Sequence, residues 1–287
     1  MTFPRRSFLA TALAPLLKAA PGQIRVGCQT RAYGSPIPDR DKFLAALADL
    51  GKLGYEGFET NYRSLEHSFM RPHAMRRECE KRGMEMMGLH VGAGFYNPTK
   101  IRDEHLLIHR VAGAVKEFGG GHIVASGRAL PTGADGRATP GSLHSKSVEL
   151  NAAGETCRRF GVTLSFHNHR HELAHEAEEI RTVLDATDPE LVSLLLDVGH
   201  PFPAKWPVPR LVREYGNRIA GFHLRDTTAG DEVMFGTGEF DFAELGGVLR
   251  ETRWKGWLIL EVNRRDDISS RDMVNRCRKH IRDTMQV

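Results

Sequence analysis

The chain alternates between strand-like and helix-like segments eight times, and this alternation limits the folds open to it. Short apolar runs predict strands near 24–29, 54–59, 84–91, 121–126, 161–168, 191–197, 218–224 and 256–262. Apolar residues at helical spacing predict helices near 38–53, 70–82, 100–118, 140–160, 173–186, 207–216, 241–252 and 267–284. Several strands follow a glycine that can end the preceding helix in a left-handed conformation, as at Gly54, Gly83 and Gly161.

Strands that alternate with helices predict a parallel sheet, because each connection between neighbouring strands then runs through a helix. A closed barrel of eight such units takes roughly 250 residues, so the 287 residues fit one domain. We therefore predict an α/β fold, a single-domain (β/α)8 TIM barrel over residues 21–287. The longest stretches without a helix or strand pattern, 127–140 and 226–240, both follow strands and belong to the same end of the barrel.

The first twenty residues have the pattern of an export signal. Arg5 and Arg6 precede Ser-Phe-Leu and an apolar run that ends at Leu17, in the order typical of a twin-arginine signal. The run is shorter than the roughly 20 apolar residues that a membrane span needs. Residues 1–20 are therefore predicted to be a twin-arginine-type signal peptide, with export to the periplasm and no stable membrane span.

The net charge of +4 comes mostly from this leader, which contains three basic residues and no acidic ones. The rest of the chain is nearly neutral and has no basic stripe with interleaved aromatic residues, so nucleic acid is not expected as a partner. The cysteines are far apart in the sequence and are expected to be buried free thiols. They are Cys28, Cys79, Cys157 and Cys277.

Four of the predicted strands end in a residue type that binds metals. The residues at or next to their carboxyl-terminal ends are His167, Asp197, His223 and Glu261. Side chains alternate between the two faces of a strand, and the apolar neighbours of these four residues are expected to pack on the helices, so the four should point into the barrel. The functional residues of such a barrel come from the carboxyl-terminal ends of different strands, so we expect the four to converge.

Two imidazoles and two carboxylates form a mixed set of nitrogen and oxygen donors. Such a set suits one divalent ion such as Mn²⁺, Zn²⁺, Co²⁺ or Fe²⁺ better than Ca²⁺, which prefers oxygen ligands. A single histidine at a strand end is commonly a hydrogen-bonded core residue. A carboxylate in an apolar strand is costly to bury without a cation or strong donors, so Glu261 in WLILEV and Asp197 in SLLLDVGH favour a metal site.

The segments DVGH, RIAGFHLRD, FGTGEFDF and WLILEVN resemble those of the xylose isomerase-like sugar phosphate isomerase/epimerase superfamily. The resemblance covers the chain after the leader and is strongest over residues 161–263. It implies one divalent metal ion, held by His167, Asp197, His223 and Glu261. It also implies that His200 contacts the substrate, and that Glu172 in HNHRHE is similar to a carboxylate that touches the sugar in ketose epimerases.

This chain departs from the ketose 3-epimerases at two positions. Those enzymes use one glutamate from the fifth strand and one from the eighth, on opposite faces of the sugar, whereas the fifth-strand residue here is His167. They also carry an arginine six residues after the histidine of the seventh strand, where this chain has Ala229. A histidine on the fifth strand resembles inosose dehydratases more closely, in which one base removes a proton beside a carbonyl and a hydroxyl leaves from the neighbouring carbon.

The resemblance implies a divalent-metal-dependent sugar isomerase or epimerase that works by enolisation, with Glu261 as the base. A keto-sugar dehydratase or lyase is one alternative, and a non-catalytic sugar-binding protein is another. An endonuclease for abasic DNA shares the fold but needs a basic face, which the near-neutral chain does not provide. The expected partner is a small sugar, and the resemblance leaves a homo-oligomer open.

Further residues are candidates for handling protons or binding the sugar. His200, His169 and Glu172 are candidates both for the acid and for sugar contacts. Asp226 in HLRD is a candidate to orient a metal ligand. On the second and third strands, Glu59 and His90 face inward by the alternation and are candidates for contacts with sugar hydroxyls. By the same alternation His90 is predicted to share its face with Gly88 and Met86.

Overall fold

The computed structural model describes residues 23–199, 208–228 and 231–287. The predicted signal peptide, His200 and Ala229 lie outside these residues. The described chain forms a closed barrel of parallel strands. The strands of the barrel are β1 (Ile24–Gln29), β2 (Gly57–Asn61), β3 (Glu85–Gly92), β4 (His122–Ser126), β5 (Thr163–His167), β6 (Val192–Asp197), β7 (Ile219–Leu224) and β10 (Gly256–Leu260). The last of them, β10, closes the barrel by pairing with both β7 and β1. The predicted single-domain (β/α)8 barrel is confirmed.

A helix follows each strand of the barrel. The helices are α1 (Arg40–Lys52), α2 (Pro72–Glu80), α3 (Ile101–Phe118), α4 (Pro140–Arg159), α5 (Ala174–Ala186), α6 (Val208–Tyr215), α7 (Phe242–Glu251) and α8 (Ser270–His280). Gly54, Gly83 and Gly161 have φ angles of 82°, 69° and 68°, so the predicted left-handed helix ends are confirmed. Within the described ranges, no helix combines the length and the apolar character that crossing a membrane would require.

The second strand begins later than predicted. The sequence pattern places it at 54–59, but β2 runs from Gly57 to Asn61. The reason is that the backbone N–H of Tyr55 still donates to Leu50 O at the end of α1, so Gly54 and Tyr55 belong to the helix terminus. The cysteines match the expectation, since all four are buried and free.

The core has two parts, one between the barrel and its helices and one inside the barrel. Gly57 borders the inner part, and a Cβ added there would lie 2.5 Å from the Trp257 ring. This glycine leaves room for the indole to cross the barrel interior. The inner part consists of Met87, Val124, Leu195, Trp257 and Ile259.

One predicted face is wrong. Met86 was expected to share the inner face with His90, but Met86 packs in the helix-facing core and Met87 lies inside the barrel. The cause is a register shift between β2 and β3, where Phe58 pairs with Met86 and Glu59 pairs with Gly88. The extra residue reverses the alternation on one side of the shift, as a β-bulge does.

The loops after β4 and β7 are more ordered than the sequence pattern indicates. In the stretch 226–240, which was predicted to lack regular structure, the described residues include two short strands that pair in antiparallel orientation, β8 (Thr227–Thr228) and β9 (Asp231–Glu232). In the loop after β4, Thr132 and Ala138 form an isolated antiparallel bridge. Strand pairs this short give too little apolar periodicity for a sequence pattern to reveal them.

A buried ion group holds the segment that follows β5. Lys146 on α4 is 2% exposed and donates to Glu172 Oε1 at 3.1 Å and to Glu179 Oε1 at 2.7 Å. The other carboxylate oxygen of Glu172 accepts from the backbone N–H of His169 at 2.7 Å. Burial on its own would raise the pKa of Glu172, but Lys146 and His171 lower it to about 2. Glu172 therefore fixes the loop that carries His169.

We expect Leu195→Ala to lower the free energy of unfolding by about 2–5 kcal/mol, because it leaves a cavity inside a closed barrel. Leu195 is fully buried, whereas Leu106 on α3 is 60% exposed. The control Leu106→Ala should stay within about 0.5 kcal/mol of the native chain. Urea unfolding measures both, and equal losses in the two variants would contradict a packed barrel interior.

The stability that Glu172 contributes should depend on pH. Its folded pKa of about 2 lies below the ordinary value of 4.5, so the contribution is complete above pH 4.5 and disappears as the pH falls towards 2. The difference between these pKa values corresponds to about 3 kcal/mol. Urea unfolding of native protein and Glu172→Gln should therefore give a difference in stability that narrows from pH 7 to pH 3. The exposed control Glu190→Gln should show no such trend, and a constant difference for Glu172→Gln would refute the assignment.

Candidate metal centre

The structure brings together the four residues that the sequence pattern places at strand ends. His167, Asp197, His223 and Glu261 each offer one ligand atom, and these atoms all lie within 4.8 Å of one another. All four side chains are at most 1% exposed. The sheet register brings the strand ends together. Asp197 pairs with His223, and His223 also pairs with Ile259, which lies two residues before Glu261. The carboxyl ends of β5, β6, β7 and β10 thus meet at one point of the barrel mouth.

Several atoms of this cluster lack the partners that buried polar atoms normally have. Within the described residues, His167 Nδ1, His223 Nδ1 and Glu261 Oε2 make no hydrogen bond. His223 Nδ1 and Glu261 Oε2 are only 2.6 Å apart, but not in hydrogen-bonding geometry. Buried polar atoms nearly always have a hydrogen-bond partner. A group of imidazole nitrogens and carboxylate oxygens that lie close together without such bonds therefore fits a cation site. The mixed imidazole and carboxylate set fits a divalent ion.

The second oxygen of Glu261 is held by two arginines that the sequence analysis did not identify. Arg31 Nη1 lies 3.1 Å from Glu261 Oε1, and Arg225 Nη2 lies 3.0 Å from the same atom. Burial would raise the pKa of Glu261, but His223 and Arg225 hold it well below its usual range. Arg225 also lies 3.6 Å from Asp197 Oδ2. One oxygen of Glu261 is therefore engaged by guanidinium groups and the other faces the cluster.

The two histidines of the cluster have opposite electrostatic surroundings. Burial, reinforced by the neighbouring His223, lowers the pKa of His167 well below its usual range, so this imidazole is neutral. Burial would also lower the pKa of His223, but the carboxylates of Glu59 and Glu261 raise it to about 10. The space around His223 thus favours positive charge, which either a proton or a metal ion can supply.

Glu59, predicted as a sugar contact, lies against His223. Its Oε2 is 2.6 Å from His223 Nε2, and its Oε1 is 3.0 Å from His90 Nδ1. Burial would raise the pKa of Glu59, but the two histidines lower it to about 2. Glu59 is fully buried, whereas the side chain of His90 is 15% exposed and its Nε2 lies 2.8 Å from Ser126 Oγ. Of Glu59 and His90, which were both predicted to contact sugar hydroxyls, only His90 has exposed surface.

Glu172 is likewise fully buried, and both of its oxygens are engaged by Lys146, His171 and the backbone of His169. His169 lies next to the cluster, with its ring centroid 5.1 Å from that of His167. The atoms of His169, His171 and Glu172 also lie close enough to hold an ion. In this second group, however, the carboxylate of Glu172 is already neutralised by Lys146.

Asp226, predicted to orient a ligand, bonds to its own loop. Its Oδ1 accepts from the backbone N–H of Thr227 at 3.0 Å, and its Oδ2 accepts from Gly236 and Gly238 at 2.9 and 2.8 Å. A Cβ at Gly238 would lie 2.1 Å from Asp226 Oδ1, so the loop needs glycine there. The carboxylate of Asp226 thus shapes the loop between β7 and α7 at the barrel mouth.

Comparisons with known proteins agree with this architecture. Inosose dehydratase of Geobacillus kaustophilus (strain HTA426) is 26% identical over 245 residues, which cover 75% of this chain and 78% of the relative. A structure of L-ribulose 3-epimerase superposes with a TM-score of 0.76 at 16% identity, covering 92% of this chain and 95% of that chain. The IOLI protein with a binding zinc atom gives a TM-score of 0.77 at 15% identity, covering 91% of this chain and 98% of that chain. These structural likenesses show a common fold.

The sequence pattern of one protein family matches residues 45–283, from the middle of α1 to the last turn of the chain. This range includes seven of the eight barrel strands and all four residues of the cluster. The chain therefore belongs to the family of xylose isomerase-like TIM barrels.

Proposed function

We propose that this protein is a divalent-metal-dependent enzyme that enolises a keto-sugar or a related polyhydroxy ketone. The observation that carries the proposal is the buried cluster of His167, Asp197, His223 and Glu261, whose ligand atoms all lie within 4.8 Å of one another. The relatives support the substrate class, since inosose dehydratase and L-ribulose 3-epimerase are named for sugars or sugar-like compounds. The zinc atom in the IOLI protein supports the metal.

The four residues of the cluster would hold the ion, and each would do so in its deprotonated form. A divalent ion at this position supplies a Lewis acid that stabilises negative charge on a substrate oxygen. His167 is suited to this role because its pKa is low, which leaves the imidazole neutral. Arg31 and Arg225 hold Glu261 Oε1 and so direct Oε2 into the cluster.

Glu261 is the proposed base. Its carboxylate ends at the point where the other three ligand residues converge, so a substrate carbon bound there lies within its reach. Its pKa is held well below the usual range by His223 and Arg225. A carboxylate with such a pKa is a weak base, so binding of the neighbouring carbonyl would have to make the proton more acidic before Glu261 could remove it.

The fifth-strand residue favours dehydration over epimerisation. Epimerisation needs a second base on the opposite face of the substrate, and His167 occupies that strand end with an imidazole of low pKa. A dehydratase needs only one base. Glu261 would take the proton from the carbon beside the carbonyl, a double bond would form, and the hydroxyl of the next carbon would leave as water with a proton that we assign to His169.

Isomerisation or epimerisation of a sugar is the second candidate. It begins with the same enolisation, and structural neighbours such as L-ribulose 3-epimerase carry out this type of reaction on the same fold. The two outcomes differ in the step after proton removal, because only the dehydratase loses a hydroxyl.

We expect native protein, freed of metal by a chelator, to gain thermal stability when Zn²⁺ or Mn²⁺ is added. An ion at one hundred times its dissociation constant stabilises the folded state by about 2.7 kcal/mol. Asp197→Asn should lose most of this gain, because it removes an anionic ligand. The matched control Asp231→Asn, at an exposed position of β9, should keep it. Equal gains in both variants would show that the ion binds elsewhere.

We expect native protein with Mn²⁺ to exchange the proton beside the carbonyl of an inosose in deuterated water and to release water from the product. Glu261→Gln should lower turnover by at least about a hundredfold, whereas the exposed control Glu239→Gln should retain it. Mass spectrometry detects both the exchange and the loss of water. Exchange without loss of water would favour the isomerase. A chain that binds keto-sugars with equal affinity in both variants, and turns none over, would be a binding protein.

A further inference from the structure

One carboxylate in the barrel interior contacts two imidazoles at once. Glu59 extends from β2 towards β7, and the two strands are separated in the sheet by β1 and β10. Its Oε2 lies 2.6 Å from His223 Nε2, and its Oε1 lies 3.0 Å from His90 Nδ1. Gln29 Nε2 adds a longer contact of 3.4 Å to Oε1. Glu59 is fully buried, so water does not compete for these oxygens.

The chemistry of this contact fixes where the ring protons lie. A carboxylate can only accept hydrogen bonds, so each imidazole must present an N–H to Glu59. The Nε2 of His223 therefore carries a proton, so an ion that takes the place of the second ring proton must bind through Nδ1, which lies 2.6 Å from Glu261 Oε2 on the side of the cluster. His90 carries its proton on Nδ1, so its Nε2 accepts from the hydroxyl of Ser126 at 2.8 Å.

We propose that Glu59 is a positioning residue of the metal centre, which holds His223 in the tautomer and orientation that offer Nδ1 to the ion. This inference rests on the proposed function, because it takes the cluster to be a metal site. Carboxylates that accept the second ring N–H of a ligand histidine commonly orient the ring and make it a better donor. The chain would thus use a residue of its second strand to complete a site built from its last four strands.

The alternative role, direct contact with a sugar, fits the geometry less well. Both oxygens of Glu59 are already engaged, and no part of the residue is exposed. His90 has the opposite features, since its ring is partly exposed and lies 5.3 Å from His167 between ring centroids. His90 therefore has access to a bound substrate, while Glu59 acts through the histidines that it holds.

The first test is Glu59→Gln, assayed by calorimetric titration of Zn²⁺ into the full chain after chelator treatment. The two imidazoles contact different oxygens of Glu59, and a carboxamide would present an N–H₂ group to one of them, so it cannot accept from both at these positions. The affinity for Zn²⁺ should fall by about 10–100-fold. Glu85→Gln is the matched control, because Glu85 lies at the exposed start of β3 and pairs with Arg25. It should bind Zn²⁺ as the native chain does.

The second measurement needs no variant and therefore does not depend on whether Glu59→Gln folds. In ¹⁵N spectra of native protein loaded with Zn²⁺, the ring of His223 should carry its proton on Nε2 and bind the metal through Nδ1. A proton on Nδ1 would overturn the proposal, and so would unchanged Zn²⁺ affinity in Glu59→Gln when the native chain binds tightly. A native chain that binds no divalent ion would instead refute the metal centre itself, and this inference with it.

Discussion

The architecture of the barrel mouth depends on the need to balance negative charge that is buried. Glu59, Asp197 and Glu261 are carboxylates with at most 1% exposure, and a buried carboxylate is stable only beside cations or strong donors. His223 lies between Glu59 and Glu261, and Arg225 lies between Asp197 and Glu261. A divalent ion at the cluster would add the remaining positive charge. In the proposed function, the ion that neutralises the carboxylates would also stabilise negative charge on a substrate oxygen, so the same charge balance would serve stability and chemistry.

The barrel supplies this arrangement through the order and register of its strands. Neighbouring parallel strands bring Asp197 opposite His223, and closure between β10 and β1 brings Arg31 to Glu261 although 230 residues separate them. The helix-side ion group of Lys146, Glu172 and Glu179 holds the loop that follows His167 from behind. The four residues of the cluster, the two arginines and the loop after His167 are thus held by segments that are far apart in the sequence. These segments lie next to one another only in the closed barrel.

The sequence was sufficient to predict the eight strand and helix units and the strand ends that carry the cluster, because both depend on local periodicity. Alternation correctly placed Leu195 and Ile259 inside the barrel. It failed at Met86, since the register shift between β2 and β3 adds one residue and no local pattern signals it.

The side chains that a residue contacts were harder to predict than the face of the strand on which it lies. Glu59 was recognised as inward-facing, but its contact with His223, 164 residues away, depends on the width of the closed barrel and on side-chain reach. Arg31 and Arg225 were missed for the same reason, as an arginine near a strand end is ordinary in a sequence.

In the proposed function, the histidine at the end of the fifth strand would change both the charge of the metal site and the number of bases available. Relative to a site with glutamates on both the fifth and the eighth strand, His167 removes one negative charge from the ligand set. Arg31 and Arg225 reduce the negative charge further on the side of Glu261. A divalent ion in this site would be less neutralised, and in a buried environment of low dielectric it would stabilise an enolate oxygen more strongly. Such a site would lack the second base that inversion at a carbon requires. Elimination of a neighbouring hydroxyl needs only one base and a stabilised anion, so in the proposed function the charge pattern and the set of ligand residues would favour the same reaction.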